Sequence, residues 1–271
     1  MSTPEASLLA LIKLLGDDHA EVVEAARSKL VELGAAAAPL LKDTADQHVE
    51  PKIRLEARAV LERIRLVNVG HEWEKAVSFP EKSLNLESGA FLMARVHYSD
   101  LEPKSYQADL DKMAQAVRPK LKRVSKIVDQ LHLLNRYLFE EQSFKGDWND
   151  YFNPQNSYLN RVMDRKLGIP ISLSVLYLLL GQRLDLPVQG VGIPGHFMIK
   201  AEDRGTELYV DPFNEGRFLS RPECVQFIVE AGYPYQPEFL EGVSSREILA
   251  RMLRNLILIY IDRKEETLGK T

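Results

Sequence analysis

The sequence predicts an α+β fold: one buried helix and a small antiparallel sheet, with a mainly helical N-terminal region before them and a C-terminal helix after. Three observations lead there. Apolar residues recur at helical spacing through residues 5–66 and again through 84–139. Ile171–Leu184 is a mostly apolar tract of helix formers without an internal proline, followed by three short tracts with strand character. Ser244–Lys264 is strongly amphipathic.

The first region, residues 1–66, holds stripes broken at Gly16-Asp17-Asp18 and at Gly34, where the helical pattern stops. Two pieces, AEVVEAARSKLVELG and EPKIRLEARAVLERI, resemble each other, with small residues among larger apolar ones. They look like a HEAT-type helical repeat pair; the alternative is a generic helical extension. Two such units are few for an independent solenoid, so packing or partner contact is the expected role. Residues 67–83 read as a junction with Trp73 and Phe79 as buried anchors and Pro80 as a stop. Within 67–143 the helices are Leu84–Tyr98, Pro103–Val117 and a long one over Pro119–Phe139. Its cluster Lys120, Lys122, Arg123 and Lys126 reads as a solvated face.

The core is placed at residues 144–235. Phe144–Asn160 is aromatic, polar and rich in turn signals, a texture typical of functional loops. Asn156 or Ser157 is expected to cap a helix over Tyr158–Leu167. Pro170 starts the buried helix. Strands follow at Leu186–Val191, His196–Lys200 and Leu208–Val210, with a hairpin turn at Glu202–Gly205. An antiparallel pairing of the last two brings His196, after the Gly192–Gly195 turn, beside Asp211. A helix over Arg221–Ala231 takes Ser220 as its cap. The last region, 236–271, contains the amphipathic helix, with Ser244 or Ser245 capping and Glu247 as a box partner.

Composition narrows the function. A length of 271 residues fits one large or two modest domains, and 45% apolar residues suffice for a packed core. A net charge of −4 without a long basic run argues against gripping a nucleic-acid backbone. Cys224 is the single cysteine, so neither an internal disulfide nor a cysteine-based metal site is available. No ligand cluster or phosphate-cradling glycine loop calls for a metal or organic cofactor. No basic-then-apolar leader or membrane-length apolar run is present, so a cytoplasmic location is expected.

Nucleophile at a helix start, then His, then an orienting Asp is the order of an acyl-transfer site. At these residues the chain resembles the transglutaminase-like core of papain-type topology: LDLP at Leu184–Pro187, PGHF around His196, and Asp211-Pro212-Phe213. More closely it resembles the bacterial SirB-type family, through LFEEQSFKGDWNDYFNPQNSYLNRVMDRKLGIPISLSVLYLLL, GVGIPGHFMIK and DPFNEGRFLS. That resemblance covers about residues 84–230, and RMLRNLILIYIDRKE is similar to the first helix of a tetratricopeptide-type pair.

One departure carries weight. Gly168-Ile169-Pro170 falls on the family's Gly-x-Cys, so a proline occupies the thiol position. Ser172 is the best substitute nucleophile, with His196 as base and Asp211 orienting it; the alternative is that Ser172 serves the helix start. The resemblance also places NSYLN beside that start, making Asn156, Tyr158 and Asn160 candidate substrate-binding residues. Cys224 follows both His196 and Asp211 and reads as a buried small hydrophobe. Two functions stay open: a protein-interaction or regulatory module with a degenerate cleft and a protein or peptide partner, or a serine-dependent amide or ester hydrolase or acyltransferase using Ser172-His196-Asp211.

Overall fold

The computed structural model describes residues 4–78 and 84–268, and the chain divides into two compact units, Met1–Lys75 and Ala76–Thr271. In the first, helices α1 (Pro4–Leu14), α2 (Ala20–Leu33), α3 (Ala38–Gln47) and α4 (Pro51–Ser78) follow the predicted stripes. Ile12, Leu15, Leu30, Leu41, Ile53 and Val60 form one core, and the small Ala26 and Ala57 are buried in it. Gly34 takes a φ of 52°, and its N–H bonds to Leu30 and Val31 carbonyls, which ends α2. Arg27 pairs with Glu56 at 2.6 Å across two of these helices. The expected junction over 67–83 is corrected in part. Val69 is buried and α4 stays helical to Ser78, because the stretch holds no proline before position 80. Trp73 is half-buried rather than buried, and Phe79 and Pro80 lie outside the described residues.

In the second unit come α5 (Leu86–His97), α6 (Pro103–Leu121), α7 (Ile127–Asn135) and a π-helical turn, Arg136–Glu141. The long helix expected over Pro119–Phe139 is therefore two. α6 runs through Pro119 and the chain breaks at residues 122–126, the stretch read as one solvated face. Arg118 and Lys120 in the last turn of α6 sit where cations favour a helix end. Next are β1 (Lys145–Gly146), α8 (Leu159–Arg165), β2 (Leu167–Gly168) and α9 (Pro170–Arg183). β1 and β2 make a two-residue parallel pair.

The main sheet contains β3 (Val188–Val191), β4 (Met198–Asp203), β5 (Thr206–Asp211), β6 (Arg217–Leu219) and β7 (Gly242–Val243), in the order β6-β5-β4-β3-β7, antiparallel throughout. α10 (Arg221–Glu230) and α11 (Ser245–Leu268) complete the chain. Every residue of α9 from Pro170 to Gly181 is buried. Its polar end is held by Arg183, which bonds Glu87 of α5 at 2.6 Å and Asp111 of α6 at 2.7 Å. The expected capping box at Ser244 and Glu247 forms, with bonds of 2.8 and 3.4 Å. Among the described residues no helix is long and apolar enough to cross a membrane, and no group of three or more His, Cys, Asp or Glu gathers as a metal site.

Candidate functional site

The β4–β5 hairpin positions the site. Ile199 pairs with Val210, so the residues just outside the pairing, His196 and Asp211, come together at one end of the sheet. His196 lies in the turn before β4, with its N–H bonded to the Ile193 carbonyl at 3.2 Å. Its ring Nε2 stands 2.9 Å from Asp211 Oδ2, and the two residues are 7% and 2% exposed. Asp211 is doubly engaged. Oδ1 accepts from the Phe213 and Asn214 N–H groups at 3.1 and 3.3 Å, capping a 3-10 turn over Pro212–Asn214. Oδ2 accepts from His196 and from Asn214 Nδ2 at 2.7 Å. Burial alone would raise the Asp211 pKa; the hydrogen bonds and charge of His196, with Asn214, outweigh it and hold the carboxyl below its ordinary value. No hydrogen bond from a described residue reaches His196 Nδ1.

Ser172 is elsewhere in its bonding. It is 0% exposed, and Oγ donates to the Asn156 carbonyl at 2.6 Å while accepting the Ile169 N–H at 3.0 Å. That second bond is half of a capping box; Ile169 at the cap position has no side-chain acceptor to return it. Ser174, also fully buried, points its hydroxyl toward the Phe197 carbonyl at 3.4 Å. Among the described residues neither serine hydroxyl is hydrogen-bonded to His196, while His196 and Asp211 are directly bonded. Cys224 is packed with Val191, Met198 and Tyr209, and burial pushes its thiol pKa up to about 12.

The NSYLN residues are also woven into the fold. Asn156 Nδ2 donates to the Asp150 carbonyl at 2.7 Å and its Oδ1 accepts from Arg165 at 2.7 Å, which staples the preceding loop. Tyr158 is buried, its hydroxyl 3.1 Å from that of Tyr260 and its ring stacked on His97. Its pKa is raised, first by burial and then by Tyr260. Asn160 is buried, and its Oδ1 and the Ser157 hydroxyl have no hydrogen-bond partner. Neither Asn156 nor Ser157 caps α8; Tyr158 holds the cap position without a side-chain bond, and Asn153 instead caps the 3-10 turn Pro154–Asn156.

Sequence reasoning missed two groups, Asn214 and Arg251. Asn214 touches Asp211 and was legible only as a turn residue. Arg251 on α11 bonds the Ile193 and His196 carbonyls at 2.9 and 2.8 Å, fixing the turn that carries His196; nothing local in the sequence signals this. Trp148 packs its ring 4.5 Å from Phe213, which in turn lies 6.1 Å from the His196 ring. Trp148 and Phe152 are 68% and 66% exposed, on a loop that buried Asp147 and Asn156 hold in place.

Residues 104–254, more than half of the chain, match the Transglutaminase-like superfamily. A UPF0162 protein of Xylella fastidiosa strain Temecula1 is 33% identical over 198 residues, covering 69% of each chain. A UPF0162 protein of Vibrio cholerae is 31% identical over 138 residues, covering 49% of this chain and 51% of that one. F-box only protein 21 of Homo sapiens is 29% identical over 187 residues, covering 59% of this chain and 29% of that one. No solved structure matches. With more than half of its residues matched to that family and a relative 33% identical over 69% of each chain, the chain belongs to the transglutaminase-like superfamily.

Proposed function

We propose that this protein is a protein-interaction module built on a transglutaminase-like core whose cleft no longer performs covalent catalysis. The observation that carries the reading is the hydroxyl of Ser172: its one proton goes to the Asn156 carbonyl and its acceptor side to the Ile169 N–H, so it serves the start of α9. By the family resemblance Pro170 falls on the thiol position, and Cys224 is buried with a raised pKa. Exposed Trp148 and Phe152 on a fixed loop supply rigid aromatic surface of the kind that dominates peptide and protein recognition. The finer placement in the SirB-type branch, the reading of residues 1–66 as a HEAT-like repeat that docks a partner, and a cytoplasmic location belong to this proposal.

A second reading, a serine-dependent hydrolase or acyltransferase through Ser172, His196 and Asp211, is favoured by the His196–Asp211 bond and by the free Nδ1. One experiment separates the two. The full chain is treated with a fluorophosphonate probe and, in parallel, screened against a peptide array. The interaction module gives no labelling, and binds peptides that lose roughly 30-fold or more in affinity on Trp148→Ala, the loss expected of a hot-spot aromatic. Stoichiometric labelling of Ser172 that His196→Ala abolishes would overturn the module and establish the hydrolase.

A further inference from the structure

We propose that Lys166 is a site of covalent acylation by small activated acyl donors, thioesters or acyl phosphates, which reach it through a cavity of about 280 Å³. Lys166 ends α8 in the left-handed conformation, φ 60°, and its carbonyl accepts the Lys145 N–H at 3.0 Å, so its backbone is fixed. Its side chain is half-buried, with Nζ 4.2 Å from the centroid of the buried Phe144 ring. The cavity wall includes Tyr106, Met113, Tyr137 and Met163, all able to hold a short acyl chain.

The charges around the amine are already committed. Asp109 takes Lys112 at 2.9 Å, and Asp164 takes Arg161 at 2.9 Å and the Tyr106 hydroxyl at 3.1 Å. Among the described residues no carboxylate lies within 4.0 Å of Lys166 Nζ, whereas the buried Lys200 sits 3.3 Å from both Glu202 and Glu207. Tyr106, Asp109 and Lys112 face it from α6, Tyr137 from the π-helical turn, and Asp164 from its own helix.

A half-buried ammonium without a counter-ion is penalised, and acylation removes the charge. Burial lowers its pKa, with Asp109 and Asp164 pulling the other way, so the neutral amine is more available than on an exposed lysine. In the step, the Nζ lone pair adds to the acyl carbonyl carbon and the C–S or C–O bond breaks. Thiolate or phosphate departs with the electron pair, and the nitrogen loses its proton to water, leaving an amide.

The test uses the full chain with acetyl phosphate and, separately, acetyl-coenzyme A at pH 8, with acetylation rates per lysine read by peptide mass spectrometry. Lys122 and Lys126, exposed on the same unit, are the comparators. Lys166 is expected to react roughly threefold faster or more, because burial leaves more of its amine neutral and the cavity holds the donor beside it. Gln142→Glu puts a carboxylate on the cavity wall and is expected to slow Lys166 several-fold while leaving Lys122 and Lys126 unchanged. A Lys166 rate no higher than the comparators, or one unmoved by Gln142→Glu, overturns the proposal.

Discussion

Replacing Asp211 with alanine tests the centre of the site. Four donors lose their acceptor: His196 Nε2, Asn214 Nδ2, and the backbone N–H groups of Phe213 and Asn214. Asn214 is exposed and water can serve it; His196 and Phe213 are buried and their donors stay unmet. A buried donor left alone costs roughly 1–3 kcal/mol, and release of the buried carboxylate's desolvation offsets part of the sum. The expected loss is about 3 kcal/mol, which in a unit of this size lowers Tm by roughly 6–12 °C. Urea unfolding followed by Trp148 fluorescence in a Trp73→Phe background measures it, because the Trp148 ring rests on Phe213, two residues from the substitution. The pH dependence has a fixed sign. The folded pKa of Asp211 is depressed, so its stabilisation is complete above the unfolded value near 3.9 and is lost as pH falls through the folded value below that. The gap between the parent and Asp211→Asn should therefore hold from pH 7 to about 5 and close below about 3.9. A loss under about 1 kcal/mol for Asp211→Ala would refute the claim that this carboxylate is a structural hub.

Three further substitutions or treatments probe the remaining assignments. Ser172→Ala should destabilise by about 1–3 kcal/mol, since it leaves the Ile169 N–H and the Asn156 carbonyl unpaired; an unchanged thermal melt would sink the capping role. Gly216→Ala combines a φ of 76° with a Cβ that would sit 2.5 Å from the buried Asn135 amide, which bonds the Gly216 carbonyl. Loss of about 2 kcal/mol or more in urea titration is expected, and a neutral result would mean the 214–216 loop is held some other way. Cys224, buried and with its thiol pKa pushed up to about 12, should resist iodoacetamide at pH 8 until the chain is denatured; fast native alkylation would contradict its place in the core.

How far the sequence carried depends on where each partner lies. The His196–Asp211 bond was legible because strand tracts and the Glu202–Gly205 turn signal are local, and an antiparallel hairpin leaves little freedom in what lies at its open end. Asp211 also starts the Pro212–Asn214 turn, and the two roles are compatible because one carboxylate oxygen faces His196 and the other the turn's N–H groups. Ser172 was rightly placed in the first turn of α9, but its fate depended on a carbonyl sixteen residues earlier. Tyr158 is a starker case: its hydroxyl partner lies 102 residues away, beyond any periodicity argument. Pro119 misled because proline favours a helix start. Here α6 had already formed by that point, and a proline close to the end of a helix forfeits little. β1 and β2, two residues each, are too short for alternation to show.

The pairing of His196 through Nε2 has a consequence for anything that visits the site. An ionised Asp211 can only accept, so the shared proton sits on Nε2 and the neutral ring is locked in one tautomer. Its other nitrogen then carries a lone pair, so the imidazole greets visitors that bring an N–H or O–H and repels bare oxygen anions.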